Sequence, residues 1–164
     1  MKIEQLSRYG YILTDIFSNP FLEKIVHLAD SFKPSTIQGT EDCKRESYFF
    51  NENTDLADEI CGFLEKNLLE IIPYQSRGIE LWRDYENFYN PMHQDDPQLQ
   101  HVLIIYLDGN LPNGTQYVEK DILYTAPYIK NTGLLLLNSN NILHGMIGIV
   151  PENRIRKCLY LNWP

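Results

Sequence analysis

The stretch HVLIIYL, residues 101 to 107, restricts the possible folds more than any other part of the sequence. Successive side chains of a strand point to opposite faces, and here both faces are apolar. The two sets are Val102, Ile104 and Tyr106 on one face and Leu103, Ile105 and Leu107 on the other. Because an apolar face must be covered, the sequence predicts a central strand with protein layers on both sides.

The part of the chain before Pro73 favours helices. One helix is predicted to begin at Asn19-Pro20, and a second at 53–72 carries leucine or isoleucine at every fourth position. A short strand is expected within residues 8–17, and residues 35–47 are predicted to form a polar loop. We therefore expect a helical amino-terminal part over about residues 1–73.

After Pro73 the pattern changes to short extended segments separated by turn signals. The predicted strands are GIELWRDY, HVLIIYL, TQYVEKDILYTA, TGLLLLN, NILHGMIGIV and RKCLYLNW. Six or more strands at this spacing indicate an antiparallel sandwich or barrel with the helices on one outer face. No repeat or linker divides the chain, so residues 1–164 are predicted to form one domain, with the strand-rich part over about residues 74–164.

The charge and cysteine content restrict partners and location. A net charge of −8 and a pI of about 4.9 argue against nucleic acid and anionic membranes as partners. Cys43, Cys61 and Cys158 have neither zinc-finger spacing nor the pattern of a disulfide framework. The first residues lack a secretory apolar segment, so we expect a reduced, soluble, cytoplasmic protein that acts on a small molecule or a peptide.

His93-x-Asp95 and His144 have the residue types of a metal site. Two imidazoles and one carboxylate on one face of a first-row metal leave three coordination positions open, as non-haem Fe(II) oxygenases require. His-x-Asp alone also fits a hydrogen-bonded turn, but His144 follows 49 residues later at the head of an apolar segment. Asp96 is the alternative carboxylate, although strand alternation places Asp95 on the same side as His93.

Two arginines open the last predicted strand. Arg154 and Arg156 point to the same side of an extended segment, and an arginine inside a β-sandwich requires a carboxylate partner. A guanidinium binds a carboxylate through two parallel hydrogen bonds, which gives directional recognition. The segment therefore predicts a site for an acidic ligand.

The sequence resembles the Fe(II)- and 2-oxoglutarate-dependent oxygenases in the order of its motifs, which is His-x-Asp, then a second histidine, then an arginine on a terminal strand. It is most similar to the prolyl-hydroxylase-like enzymes, over about residues 80–164. Further similarities lie in the strand that contains Tyr106, in NGTQYV at 113–118 and in NTGLLLLNSNNILHG before His144. The resemblance implies a double-stranded β-helix, which is a distorted jelly roll.

The resemblance also implies roles for individual residues. His93, Asp95 and His144 correspond to the iron ligands, and the distal carboxylate of 2-oxoglutarate is expected to pair with Tyr106 and Arg156. Arg154 lies at the commoner spacing from His144, whereas Arg156 fits the local pattern better, so Arg154 remains the alternative. A further co-substrate contact is expected from Tyr85 or Tyr89.

The activity implied by the resemblance is hydroxylation with O2 as oxidant and release of succinate and CO2. The substrate expected is a prolyl residue, a free amino acid or another small molecule. Two alternatives stay open: a cupin-like metalloenzyme that does not use 2-oxoglutarate, and a jelly-roll metal-binding module or sensor without catalysis.

Overall fold

The computed structural model describes residues 1–41, 43–109 and 111–164, apart from the side chain of Glu52. Its helices are α1 Asn19–Ser31 and α2 Thr54–Leu68, with short 3-10 helices at Phe50–Glu52 and Ser139–Asn141. Its strands are β1 Lys2–Gln5, β2 Gly10–Thr14, β3 Thr36–Thr40, β4 Cys43–Phe49, β5 Gly78–Asp84, β6 Asn90–His93, β7 His101–Tyr106, β8 Gln116–Glu119, β9 Ile122–Thr125, β10 Thr132–Leu137, β11 His144–Met146 and β12 Arg156–Trp163.

The strands form two antiparallel sheets. The larger sheet has the order β1-β2-β10-β7-β12-β5-β4-β3, and the smaller has the order β6-β11-β8-β9. From β5 to β12 the chain passes repeatedly between the sheets, which gives the two four-stranded sets β5-β12-β7-β10 and β6-β11-β8-β9 of a jelly roll. Strands β1 to β4 extend the larger sheet at both edges.

Strand β7 is covered on both faces, as its sequence predicts. Leu103 and Ile105 belong to a buried apolar cluster with the regularly spaced residues of α1 and α2. Val102, Ile104 and Tyr106 belong to a second cluster, shared with residues of the smaller sheet such as Tyr117 and Met146. We call these two sides of the larger sheet the helix face and the inner face.

The amino-terminal part contains more strand than the sequence predicts. Residues 35–47 were expected to be a loop, but β3 and β4 form a hairpin there, with Asp42 outside the described residues. Every residue of β3 is exposed, and β4 buries the polar side chains of Arg45, Glu46 and Ser47. Neither strand therefore shows the apolar alternation that identifies a strand in a sequence.

The helices differ only slightly from their predicted extents. Helix α1 has Pro20 in its first turn, where a missing N–H loses no hydrogen bond, and buries Leu22, Ile25 and Ala29. Helix α2 buries Leu56, Ile60, Leu64 and Leu68, which form a single stripe. Within the described ranges, neither helix is long and apolar enough to cross a membrane.

Candidate active site

Three metal-ligand side chains meet where the smaller sheet faces the inner face. His93 ends β6, His144 begins β11, and these two residues are cross-strand partners. Asp95 lies two residues after His93, with Nε2 of His93 3.7 Å from its Oδ1 and Nε2 of His144 3.5 Å from its Oδ2. One ligand atom from each of the three residues falls within 4.8 Å of the others. Such a set can bind one ion.

Backbone carbonyl groups fix the tautomer of both histidines. Nδ1 of His93 lies 2.8 Å from the carbonyl oxygen of Pro91, and Nδ1 of His144 lies 2.9 Å from that of Ile142. A carbonyl oxygen only accepts, so each Nδ1 must donate its proton, and each neutral ring then has its lone pair on Nε2. Both Nε2 atoms point towards Asp95, which is the orientation that metal-binding histidines normally have.

The carboxylate of Asp95 is incompletely bonded. Its Oδ2 is buried and has no hydrogen-bond partner among the described residues. Burial acts to raise the pKa of this carboxyl group. A hydrogen bond and positive charge from His144, a hydrogen bond from Ser139 and the charge of His93 lower the pKa below its ordinary value, and the two histidines act in this way only when Nε2 carries a proton; a cation bound in place of these protons has the same effect. An ionised, buried and unpaired oxygen is unfavourable unless a cation binds it, so the three residues fit a divalent metal.

A pocket of about 290 Å³ opens onto the three metal-ligand residues. Trp82, Ile104 and Tyr160 of the inner face form part of its wall, with the rings of Trp82 and Tyr160 stacked 4.3 Å apart. The rest of the lining is largely polar: Gln38, Arg45, Ser47, Glu80, Asn90 and Asn162. The pocket therefore suits a polar ligand that approaches the metal position.

Arg156 is buried on the inner face at the start of β12. Its side chain is 2% exposed; Nη1 donates to Oδ2 of Asp84 at 2.7 Å, and Nη2 donates to Oγ1 of Thr115 at 3.3 Å. Its Nε has no hydrogen-bond partner within the described residues. Asp84 also accepts two hydrogen bonds from Arg45, at 2.6 and 2.9 Å. Three buried charged residues thus lie side by side.

Asp84 is ionised despite its complete burial. Burial acts to raise the pKa of its carboxyl group, and the charges and hydrogen bonds of Arg45 and Arg156 overcome this effect and leave the pKa below its ordinary value. The three residues together carry one net positive charge. An anion can therefore be bound here without an uncompensated charge in the interior.

Tyr106 adds a hydroxyl group beside Arg156. The backbone N–H of Thr115 donates to the Tyr106 hydroxyl at 2.8 Å, and burial raises the pKa of this hydroxyl, which therefore keeps its proton. A Cβ at Gly114 would lie 2.5 Å from the hydroxyl oxygen, so only glycine permits this close approach. Arg156, Thr115 and Tyr106 therefore offer donors to an acidic group.

Arg154 and Tyr85 lie elsewhere. Arg154 precedes β12 in a turn and is exposed, and both residues line a separate surface depression with Lys44. The hydroxyl of Tyr85 donates to Glu46 at 2.8 Å, and Nζ of Lys44 lies 4.0 Å from the centre of its ring. Tyr89 is 54% exposed. The lining of the pocket at the metal-ligand residues includes none of these three side chains. Arg156 does not line it either, but Arg156 pairs with Asp84, which also binds Arg45 of the lining, whereas the contacts of Arg154 and Tyr85 lie in the surface depression.

Two charged residues near the site, Arg45 and Asp84, were not predicted from the sequence. Arg45 lies in the segment expected to be a loop, and Asp84 gave one available signal, a charge on the same strand face as Trp82. Asp96, the alternative metal ligand, accepts a hydrogen bond from the backbone of Gln98 at 2.8 Å and is exposed. It belongs to a turn, as side-chain alternation predicts.

Solved structures share this fold. An oxidoreductase of the 2OG-Fe(II) oxygenase family from Burkholderia pseudomallei superposes with a TM-score of 0.70 and 12% identity over 93% of this chain and 82% of that one. HygX from Streptomyces hygroscopicus, with nickel and 2-oxoglutarate bound, superposes with a TM-score of 0.73 and 10% identity over 96% of this chain and 87% of HygX. A prolyl-4-hydroxylase from Pseudomonas putida superposes with a TM-score of 0.68 and 8% identity over 96% of this chain and 93% of the hydroxylase chain.

No protein-family model and no curated protein matches the sequence. At identities this low the likeness establishes the fold, which is that of the 2OG-Fe(II) oxygenases, while function depends on the residues of the site.

Proposed function

We propose that the protein is an Fe(II)- and 2-oxoglutarate-dependent dioxygenase that hydroxylates its substrate and releases succinate and CO2. The observation that carries this proposal is the pairing of two sites in one jelly roll. One is a two-histidine, one-carboxylate set with an unpaired buried oxygen, and the other is a buried arginine with a free donor. Either alone occurs in many proteins, but together they match the two ends of a chelating keto acid.

His93, Asp95 and His144 would hold the iron. Their Nε2 atoms and the carboxylate would supply three ligands, and the pocket opens onto the same three residues, so a substrate could approach the bound metal from the pocket. The carbonyl groups of Pro91 and Ile142 keep both rings oriented, which removes the need to reorganise when the metal binds. The bound metal supplies oxygen activation, and the protein fixes the geometry and limits access of water.

Arg156 and Tyr106 would bind the distal carboxylate of 2-oxoglutarate. Arg156 has an unused Nε–H, and the Tyr106 hydroxyl accepts from Thr115 while its own proton remains available to a carboxylate. Both side chains are almost completely buried, so hydrogen bonds to a bound anion there form in a medium of low polarity. We propose Arg156 for this role rather than Arg154, since Arg154 is exposed in a turn.

The substrate would be a polar small molecule, a free amino acid or a prolyl residue in a peptide. This choice follows from the lining of the pocket, in which polar side chains outnumber apolar ones. A strongly apolar substrate would leave these groups without hydrogen-bond partners. The three free thiols fit a reducing compartment, and we place the protein in the cytoplasm.

The test is succinate formation by protein loaded with Fe(II). Wild type is expected to release succinate from 2-oxoglutarate when offered a panel of free amino acids and proline-containing peptides. His144→Ala is expected to abolish this release because one of three ligands is lost. No turnover and no binding of 2-oxoglutarate by the wild type would refute the proposal.

The same assay separates the two alternatives. A metalloenzyme that does not use 2-oxoglutarate would keep its turnover in Arg156→Ala, whereas the proposed enzyme would lose affinity for 2-oxoglutarate. A binding module or sensor would take up stoichiometric iron and 2-oxoglutarate and release no succinate on any member of the panel.

A further inference from the structure

Arg45 is a buried, positively charged residue that has no role in the function proposed above. Strands β4, β5 and β12 are neighbours, and both Arg45 and Arg156 are cross-strand partners of Asp84. The three side chains are 7%, 2% and 0% exposed in the order Arg45, Arg156, Asp84. They form a row across the inner face, arginine–aspartate–arginine, which we call the charged row.

Asp84 competes with any anion for Arg156. It lies 2.7 Å from Nη1 of Arg156, and in this position it neutralises the guanidinium charge. A neutral ion pair offers little attraction to a second carboxylate, and a nearby aspartate repels it. Arg156 by itself therefore does not explain how a dicarboxylate would be bound next to Asp84.

Arg45 restores the missing charge. Its Nε and Nη2 donate to the two oxygens of Asp84, so the carboxylate is shared between the two arginines. The Arg45 guanidinium also lies 3.9 Å from the ring centre of Trp82 and 4.6 Å from that of Phe88, which fixes its position. The charged row keeps one net positive charge only while Arg45 is present.

We propose that Arg45 is a positioning residue for the co-substrate: it takes up the charge of Asp84 and leaves Arg156 free to bind the distal carboxylate of 2-oxoglutarate. Arg45 thereby selects dicarboxylate keto acids over keto acids with one carboxylate, because only the former bring an anion to the charged row. This proposal rests on the proposed function. It predicts that the effect of Arg45 is electrostatic and depends on Asp84.

The experiment is a calorimetric titration of 2-oxoglutarate into protein loaded with Ni(II), which measures binding without turnover. Arg45→Gln is expected to weaken 2-oxoglutarate binding by about tenfold to a hundredfold, the size of one charge-assisted interaction. Asp84→Asn is expected to bind as tightly as wild type or more tightly. The double variant Arg45→Gln/Asp84→Asn regains the single positive charge on Arg156 and is expected to return to within about threefold of wild type.

The matched control is Arg83→Gln. Arg83 lies on the same strand as Asp84 but on the helix face, where it pairs with Glu46 at 2.6 Å. Its loss is expected to lower the melting temperature and leave the affinity for 2-oxoglutarate unchanged. Pyruvate serves as the keto acid with one carboxylate, and its weaker binding is expected to be the same in wild type and Arg45→Gln.

Two results would overturn the role of Arg45: unchanged 2-oxoglutarate binding in Arg45→Gln, or weak binding in Arg45→Gln that the second substitution does not restore. The latter would mean that Arg45, which lines the pocket, either contacts the ligand itself or only supports the fold, and in both cases it would not act through Asp84. Failure of the proposed function is seen separately, since wild type loaded with Ni(II) would then bind no 2-oxoglutarate at all, and the proposed role of Arg45 would fall with it.

Discussion

The two faces of the larger sheet are made from the same strands and yet bury different chemistry. Alternate residues of β7 and β12 point to each face, so Leu103 and Leu159 pack under the helices while Tyr106 and Cys158 face the smaller sheet. The helix-face cluster is built from apolar side chains. The inner face adds charged groups that are completely or nearly completely buried, among them Arg45, Asp84 and Arg156.

This difference separates stability from ligand binding. Apolar burial on the helix face contributes free energy of folding without directional bonds. Burying charges between the two sheets is unfavourable unless each is paired, and two buried atoms there that have no hydrogen-bond partner among the described residues, Oδ2 of Asp95 and Nε of Arg156, lie where ligands are proposed to bind. Substitutions on the two faces are therefore expected to have separable effects.

The largest expected effect is on the metal. Asp95→Asn removes the ionised ligand, and the affinity for Fe(II) or Ni(II) is expected to fall by about a hundredfold or more. Asp96→Asn, one residue further along, is the matched control, since Asp96 only caps a turn at Gln98. Metal titration of the two variants checks this. Equal losses in both would mean that the carboxylate ligand has been misassigned.

The next largest expected effect is on stability, from a substitution in the charged row. Asp84→Asn leaves two buried arginines without their carboxylate, and the free energy of unfolding is expected to drop by about 3–5 kcal/mol at pH 7. The folded-state pKa of Asp84 is lowered, so its stabilising contribution is present above the unfolded value of about 4 and is lost as the pH falls further. Denaturant unfolding at several pH values should show wild type and variant converging below about pH 4. A difference that stays constant down to pH 2 would contradict the ion pairing.

Leu103→Ala tests the helix face. Leu103 is fully buried in the helix-face cluster, and its truncation is expected to lower the free energy of unfolding by about 2–5 kcal/mol. The affinity for metal and for 2-oxoglutarate should remain that of wild type at temperatures where the variant is folded. A loss of ligand affinity beyond the unfolded fraction would show that the two faces are coupled.

A smaller effect on the metal is expected from Gly145→Ala. A Cβ at this position would lie 2.6 Å from the carbonyl oxygen of Pro91 and 2.7 Å from that of Asn90, so the backbone that orients His93 is expected to shift. Metal affinity is expected to fall by about tenfold to a hundredfold, as for the loss of other groups that orient ligands. Gly62→Ala is the control, since, apart from its chain neighbours and the backbone of its own helix, no atom of the described residues lies within 4 Å of the added Cβ, and alanine favours the helix. Unchanged metal affinity in Gly145→Ala would show that the carbonyl group of Pro91 does not orient His93 for metal binding.

The smallest effects are expected from Tyr85→Phe and Arg154→Ala. Both residues lie in the surface depression with Lys44, away from the pocket that contains the metal-ligand residues. Affinity for 2-oxoglutarate, measured with Ni(II), should stay within about twofold of wild type in each variant, as for most surface substitutions. A tenfold loss in Arg154→Ala would favour Arg154 over Arg156 as the co-substrate arginine.

The strand-rich half of the fold could be predicted from local apolar patterns, and the three residues proposed as metal ligands could be selected by residue type and order. The double apolar face of β7 requires two covering layers, and the order His-x-Asp, then His144, then two arginines indicates a metal site beside a carboxylate site. The hairpin of β3 and β4 could not be predicted in this way, since an exposed edge strand and a strand with buried polar residues have no apolar period.

The charged row could not be predicted for a different reason. Arg45, Asp84 and Arg156 are far apart in the sequence, and they meet only because β4, β5 and β12 pair in one particular register. Which of Arg154 and Arg156 is buried likewise depends on the residue at which the turn after Pro151 ends and β12 begins. Strand order and register are set by long-range packing, which a single sequence does not display.

We propose that the metal site and the carboxylate site at Arg156 bind the two ends of one 2-oxoglutarate molecule. This claim is tested most directly by titrating 2-oxoglutarate into wild type with and without Ni(II), and into His144→Ala and Arg156→Ala with Ni(II). We predict saturable binding at one site per chain that requires the metal and is weakened or lost in both variants. Binding that is equally tight without metal, or unchanged in either variant, would contradict the claim.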